Sequence, residues 1–449
     1  MRCATTVAIV ALLLSAVALP VHAATIIVTN TNDKGPGSLR QALAVAHDGD
    51  RITFAVSGTI TLTSGGLVVA KNVTISGPGA DQLSVDGNQA LLVFGVFPEN
   101  TAAISGLDIR NAQVGVWNEQ GTITVSNCVL SGNSFAGLYN HAGYDYGGAS
   151  MTVANSLINN NSGMGAMNVF PPSKAGNSVD QPSIGIPCAC MTITDSVVGN
   201  NSGDGIYSTA TYAYSNGAAG LTVVNTRVSD NALRGISNDG TECSASATIV
   251  STTVSGNSGG GVFSSGFFGS APVTITNSTI SGNSTGTAGG GIYNQNCSLH
   301  VANSTITGNS APSGGGIYNQ QGQSFISNTI LNAGALGENI FNDAGTVSSL
   351  RYNLSSDDGG GYLTGPGDQI NTDPLLGPLQ DNGGPTLTHL PLTGSPAIDA
   401  GDPEFTLPPY HDQRGACFDR VFGRRIDIGS VETQPRRRCV TPAPRPTPH

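Results

Sequence analysis

Charged side chains are scarce in this 449-residue chain: together they make up 10% of it, and 18 basic residues are outnumbered by 29 acidic ones. A phosphate-tracking surface needs a Lys/Arg stripe with interleaved aromatics, and no such stripe runs along the chain, which excludes nucleic acid as a partner. Long apolar runs are lacking too. The apolar stretch from Val7 to Leu19 is too short to span a bilayer, and nothing later approaches the ~20 apolar residues of a membrane helix. Metal signatures are equally thin. Cys188 and Cys190 have neither CxxC spacing nor nearby His partners. The aspartates near the C-terminus, Asp373, Asp381, Asp399, Asp402, Asp412 and Asp427, lack EF-hand spacing and suit turns through their own backbone bonds. The expectation is a protein with no metal and no cofactor, whose partners are neutral or weakly polar.

The opening "MRCATTVAIVALLLSAVALPVHA" sets one Arg before the apolar run and ends with Val21 and Ala23 at small-residue cleavage positions, so residues 1–23 read as a signal peptide. The mature chain is expected to be secreted or at the cell surface, without a transmembrane segment. Cys3 leaves with the leader, and the odd number of cysteines that remains implies an unpaired thiol or an intermolecular bridge. They are read as isolated buried or loop cysteines, with Cys417–Cys439 the candidate bridge.

What the chain has is repetition. "TITNSTISGNSTGTAGGGIYN" at 274–294 is followed by "HVANSTITGNSAPSGGGIYN" at 300–319. Aligning on the residue after each Thr/Val/Ile run gives anchors at Asn127, Asn155, Asp195, Asn225, Ser251, Asn277, Asn303 and Asn328, spaced 28, 40, 30, 26, 26, 26 and 25 residues apart. Each interval suits one solenoid turn. The longest holds a Pro/Gly-rich insertion at 170–188, read as a surface loop.

Alternation within the repeats has period two, the signature of strands. Val125, Val153, Ile193, Val223, Ile249, Ile275, Val301 and Ile326 form one apolar column. Leu130, Ile158, Val198, Val228, Val254, Ile280, Ile306 and Leu331 form a second, and Leu138, Ala166, Ile206, Ile236, Val262, Ile292 and Ile317 a third. Three inward columns per turn predict an all-β, three-sided solenoid of about ten turns, in which each turn is stable only by stacking on its neighbours.

Six residues past each anchor stands Asn133, Asn161, Asn201, Asn231, Asn257, Asn283 or Asn309. These are expected at left-handed corners, with side-chain amides stacked in a ladder about 4.8 Å apart. The corner also explains Asn277 and Asn303 better than their glycosylation sequons do. The N-terminal stretch "GPGSLRQALAVAHDGD" carries Ser38 and Gln41 at capping-box spacing, with Leu39, Ala42, Leu43 and Ala46 on one face. It predicts a short helix covering the first turn.

The repeats resemble those of right-handed parallel β-helix proteins, and "GGGIYN" resembles the motifs of bacterial polymorphic outer-membrane proteins. The stretch "NTDPLLGPLQDNGGPTLTHLPLTGSPAIDAGD" at 371–402, with "DQRG" at 412–415 and "DIGSVE" at 427–432, is similar to the choice-of-anchor Q domain of secreted bacterial proteins. That resemblance implies a module preceding a surface-anchoring or sorting tail. The tail here, 435–449, is Pro/Arg-rich and shows no sorting motif, so free secretion stands beside surface retention. The divisions expected are 1–23 signal peptide, 24–100 cap and first turns, 101–334 regular repeats, 335–434 anchor-Q-like module and 435–449 tail.

Two surfaces carry functional expectations. The residue after the third-column Ile should face outward, giving a column of Trp117, Tyr139, Met167, Tyr207, Ser237, Phe263, Tyr293 and Tyr318, whose rings suit sugar rings or protein side chains. Asp204 and Arg234 occupy equivalent places in adjacent turns and are expected to pair as ions, with Asp230 and Asp239 nearby. Were the protein a polysaccharide lyase or glycoside hydrolase of the pectate-lyase-like class, Asp204, Asp230 and Arg234 would be its catalytic candidates. The reading favoured by the sequence is a non-enzymatic, monomeric adhesion or carbohydrate-contact protein, whose partner is a polysaccharide or a surface protein. A passive structural stalk is the other alternative.

Overall fold

The computed structural model describes residues 23–143, 147–171, 188–210, 218–240, 244–267 and 270–434. Residues 1–22 of the expected signal peptide, most of the 170–188 insertion and the 435–449 tail lie outside the described residues. Strands stack into three parallel sheets of 13, 12 and 11 strands. The first sheet runs from Thr25–Val28 to Thr346–Arg351, the second from Gly58–Thr61 to Leu354–Ser355, and the third from Leu67–Val69 to Ile340–Asp343. Each turn visits the three in order, and each strand pairs with its counterparts one turn before and after. The fold is therefore a right-handed parallel β-helix. It has more turns than the anchors suggest, because the early turns lack the anchor motif but keep the alternation: Val73 and Ile75 pair with Ala102 and Ile104, and these with Ile123 and Val125.

The three apolar columns form the core. Their members are almost fully buried, from Val125, Leu130 and Leu138 to Ile326, Leu331 and Ile317. Ser38 caps the helix Leu39–Val45, its side chain accepting from the Gln41 amide at 3.2 Å. Leu39, Ala42 and Ala46 join the core. At the other end Leu363, just past the short helix Gly359–Gly361, joins the same core and covers the last turn.

The corners correct one expectation. The ladder asparagines are not left-handed; the anchors are, with φ of 52° at Asn127, 48° at Asp195 and 50° at Ser251. So is the residue just before each ladder Asn, such as Gly132, Asn160, Asn200, Asp230 and Gly256. Two left-handed residues bend the chain on either side of the three-residue second-sheet strand, and the ladder Asn that follows points inward. Asn133, Asn161, Asn201, Asn231, Asn257, Asn283 and Asn309 are all buried. Each Nδ2 from Asn133 to Asn283 donates to the Oδ1 of the next, at 2.8–3.0 Å.

A second ladder runs inside the third sheet, built from the Asn of "GIYN". Asn118 donates to Asn140 and Asn140 to Asn168, at 2.7 and 2.8 Å, and Asn294 donates to Asn319 and Asn319 to Asn342. Ser208 and Ser264 interrupt it, and the Oδ1 atoms of Asn238 and Asn294 are left without a partner.

Beyond that cover, the rest of the C-terminal module folds back along the outer face of the second sheet. Thr253, Thr279, Thr305 and Ile330 are aligned there in successive turns and are buried beneath it. Gln413 clamps two of them: its Nε2 donates to Thr253 Oγ1 at 2.9 Å, and its Oε1 accepts from Thr279 Oγ1 at 2.6 Å. The Ser430 amide donates to Thr305 Oγ1, and Ser281 bonds His389 Nε2 at 2.8 Å. The module also covers the two sequons: Asn277 and Asn303 are buried, and Asn277 Nδ2 donates to the His411 carbonyl.

Free, buried Cys128 and Cys297 fit the sequence expectation, whereas one pair departs from it. Cys188 and Cys190 form a disulfide with each other, on one face of a single strand. Cys417 is disulfide-bonded, whereas Cys439 lies outside the described residues.

Candidate functional site on the third sheet

Period-two alternation puts the residue after each inward Ile on the outer face of the third sheet. Trp117, Tyr139, Met167, Tyr207, Ser237, Phe263, Tyr293, Tyr318 and Phe341 stand there in register, one per turn. Their rings contact one another in two groups. Trp117 meets Tyr139 edge-on at 5.1 Å, while Phe263, Tyr293, Tyr318 and Phe341 follow at 5.0–5.4 Å. Burial pushes the phenols of Tyr207, Tyr293 and Tyr318 above the ordinary tyrosine range, so they stay neutral.

Two residues further along each strand lies a second outward column that sequence reasoning missed: Glu119, His141, Val169, Thr209, Asp239, Ser265, Gln295 and Gln320. It makes a mostly polar rail beside the rings. Tyr293 Oη donates to Gln320 Oε1 at 2.7 Å, Gln295 Nε2 donates to the same oxygen, and Gln320 Nε2 donates to Asp343. Only the position recurs here, not the residue type, which is why the repeat alignment did not reveal it.

Asp204 and Arg234 meet, but not as the expected ion pair. Asp204 is buried; its Oδ1 accepts the Arg234 backbone amide at 2.9 Å and its Oδ2 the Ser237 hydroxyl at 2.7 Å. The Arg234 guanidinium instead lies 3.6 Å over the Phe263 ring. Asp230 occupies a left-handed corner and takes part in none of these bonds. Asp239 stands on the polar rail, in register with Thr209 and Ser265.

A cleft of about 270 Å³ opens at this point, lined by Arg234, Gly259, Gly260, Phe263, Gly289 and Tyr293. Gly289, at φ 72°, keeps it open, since a Cβ there would stand 2.7 Å from that of Tyr293. Aromatic faces take the C–H face of a sugar ring, and the adjoining amides and carboxylates take its hydroxyls. Among the described residues no three His, Cys, Asp or Glu side chains gather as a metal set. The C-terminal aspartates serve turns instead: Asp373, Asp381, Asp402 and Asp412 each accept the amide two residues on.

The sequence matches no protein-family profile. No curated protein matches it either. Among solved structures, the fold is similar to that of pectate lyase Pel9A, with 16% identity, 92% of this chain and 96% of that chain covered, and a TM-score of 0.52. It is also similar to XylC in its complex with xylose, with 10% identity, 80% and 88% covered, and a TM-score of 0.50. These likenesses are of fold alone.

Proposed function

We propose that the outer face of the third sheet is a carbohydrate-contact surface and that the protein is an exported, non-enzymatic adhesion or carbohydrate-contact protein of the cell surface or extracellular space. The observation that carries this reading is the cleft where Arg234, Phe263 and Tyr293 meet, set in a ring column flanked by a polar rail. Carbohydrate-binding surfaces need that combination of an apolar platform and adjacent hydrogen-bonding groups. The leader at 1–23 supports export, and the anchor-Q resemblance of 335–434 supports a surface-associated role.

A lyase or hydrolase built on Asp204 and Arg234 has less support. Both carboxylate oxygens of Asp204 already hold the strand that follows, and a general base must reach the proton it removes. A passive stalk gives no reason for an open cleft beside the rings. The experiment is a glycan-array and depolymerisation screen on residues 24–449 beside a Tyr207→Ala/Tyr293→Ala variant. Binding without product release, weakened in the variant, supports the reading; release of shortened chains overturns it.

A further inference from the structure

The ring column has a second polar-aromatic centre, far from the cleft. Trp117 and Glu119 lie on one third-sheet strand, and Tyr139 and His141 stand opposite them in register on the next. The Trp117 indole N–H donates to Glu119 Oε2 at 2.9 Å, and His141 Nδ1 lies 2.9 Å from the same oxygen and 3.0 Å from Oε1. An ionised carboxylate only accepts, so Nδ1 carries the proton and the couple fixes Glu119 in one orientation. A carboxylate offers about four lone-pair sites, and two donors leave it able to accept from a ligand hydroxyl. The Glu119 side chain keeps 22% of its exposure, and Phe135, with 48%, extends the ring surface 5.9 Å from Tyr139.

We propose that Trp117, Glu119, Phe135 and Tyr139, with His141 positioning Glu119, form a second glycan subsite on the same track as the Phe263 cleft, and that the ligand is a neutral pyranose polymer lying parallel to the solenoid axis. This rests on the carbohydrate-contact reading above. The chain of registers Trp117–Tyr139–Met167–Tyr207–Ser237–Phe263 is five strand steps long. At about 4.8 Å per step the two centres are about 24 Å apart, a span for an extended oligosaccharide of roughly six units. Charge selects the class. The subsite is built around the Glu119 carboxylate, which accepts from sugar hydroxyls but repels the carboxylate of a uronate placed beside it.

Trp117 is the only tryptophan of the chain, so its fluorescence reports on this subsite alone. The test titrates residues 24–449 with cellohexaose, xylohexaose, mannohexaose, their dimers and polygalacturonate, reading calorimetric heat and Trp117 emission together. The expected result is a neutral hexaose that shifts emission in step with the heat, a dimer roughly tenfold or more weaker, and an affinity loss of about tenfold in Glu119→Gln and in the exposed Phe135→Ala. Hexaose heat with no emission change and no effect of either variant overturns the second subsite and leaves the cleft reading standing. An emission change with polygalacturonate alone overturns the neutral class. Heat from none of these ligands removes both the subsite and the reading on which it rests.

Discussion

The Arg234 guanidinium lies 3.6 Å above the Phe263 ring while the Arg234 backbone amide, one bond system away, is held by Asp204. The two halves of one residue thus do different things: the backbone fixes the strand, and the side chain forms one wall of the cleft. A cation over a half-buried ring contributes about 1 kcal/mol, so the contact shapes the cleft more than it stabilises the fold. Phe263→Ala is therefore expected to weaken glycan binding by about tenfold while leaving the melting transition nearly unmoved. Asp204→Asn, which can still accept from one donor but not from both in the same way, is expected to cost about 1–2 kcal/mol in stability. Paired glycan titrations and denaturant melts check both; a variant at Asp204 that melts normally yet abolishes a measured depolymerisation would assign it chemistry instead.

Asn257 lies mid-ladder. Its Oδ1 accepts the amide and Nδ2 of Asn231, and its own Nδ2 reaches Asn283 Oδ1 and the Val228 carbonyl. Asn257→Ala leaves buried donors and acceptors unpaired on both sides and is expected to destabilise by about 2–5 kcal/mol in urea unfolding, well beyond the effect of an exposed Asn→Ala change. A loss below ~1 kcal/mol would contradict the ladder's structural role.

The second ladder makes a prediction of opposite sign. Ser264 stands in register between Asn238 and Asn294, whose Oδ1 atoms lack partners. Ser264→Asn supplies the missing amide donor to Asn294 and an acceptor for Asn238 in a column that already accommodates Asn elsewhere. Stability is expected to rise by about 1 kcal/mol, measured by the urea midpoint at unchanged slope.

Glu432 gives the module a pH signature. Burial and the nearby Asp427 raise its carboxyl to about 8. Its unfolded value is near 4.3, so between these limits the native state holds a proton that the unfolded chain has released. This contribution to stability is full below the lower limit and falls as pH rises toward the upper one, by no more than about 1.4 kcal/mol per pH unit. Glu432→Gln is expected to flatten the dependence of the module's unfolding between pH 5 and 8. An unchanged slope in thermal melts across that range would show that Glu432 is ionised in the folded protein.

Much of the fold was legible because repetition multiplies weak signals. A lone Val–Ile alternation is ambiguous, but eight aligned copies fix three inward columns and the faces opposite them. The ring column was legible for the same reason, since Tyr293 and Tyr318 share an identical "GIYN" context. The polar rail was not: Glu119, His141, Thr209, Asp239 and Gln295 have a position in common but no chemistry that an alignment would align. The module's placement escaped for a different reason. Gln413 meets Thr253 across 160 residues of sequence, and irregular loops carry no period that predicts where they dock. The Cys188–Cys190 bridge escaped because a pair with a single residue between them leaves no framework spacing to read.

The proposed role of the third sheet is to hold a sugar chain on its outer face. The most direct measurement is a crystal structure of residues 24–449 soaked with a neutral hexaose that binds in solution. Sugar rings are expected stacked on Phe263 and Tyr293 and running along the strand-to-strand direction toward Trp117. Ordered sugar on the first-sheet face, with the third sheet bare, would be the opposite result and would remove the proposed role.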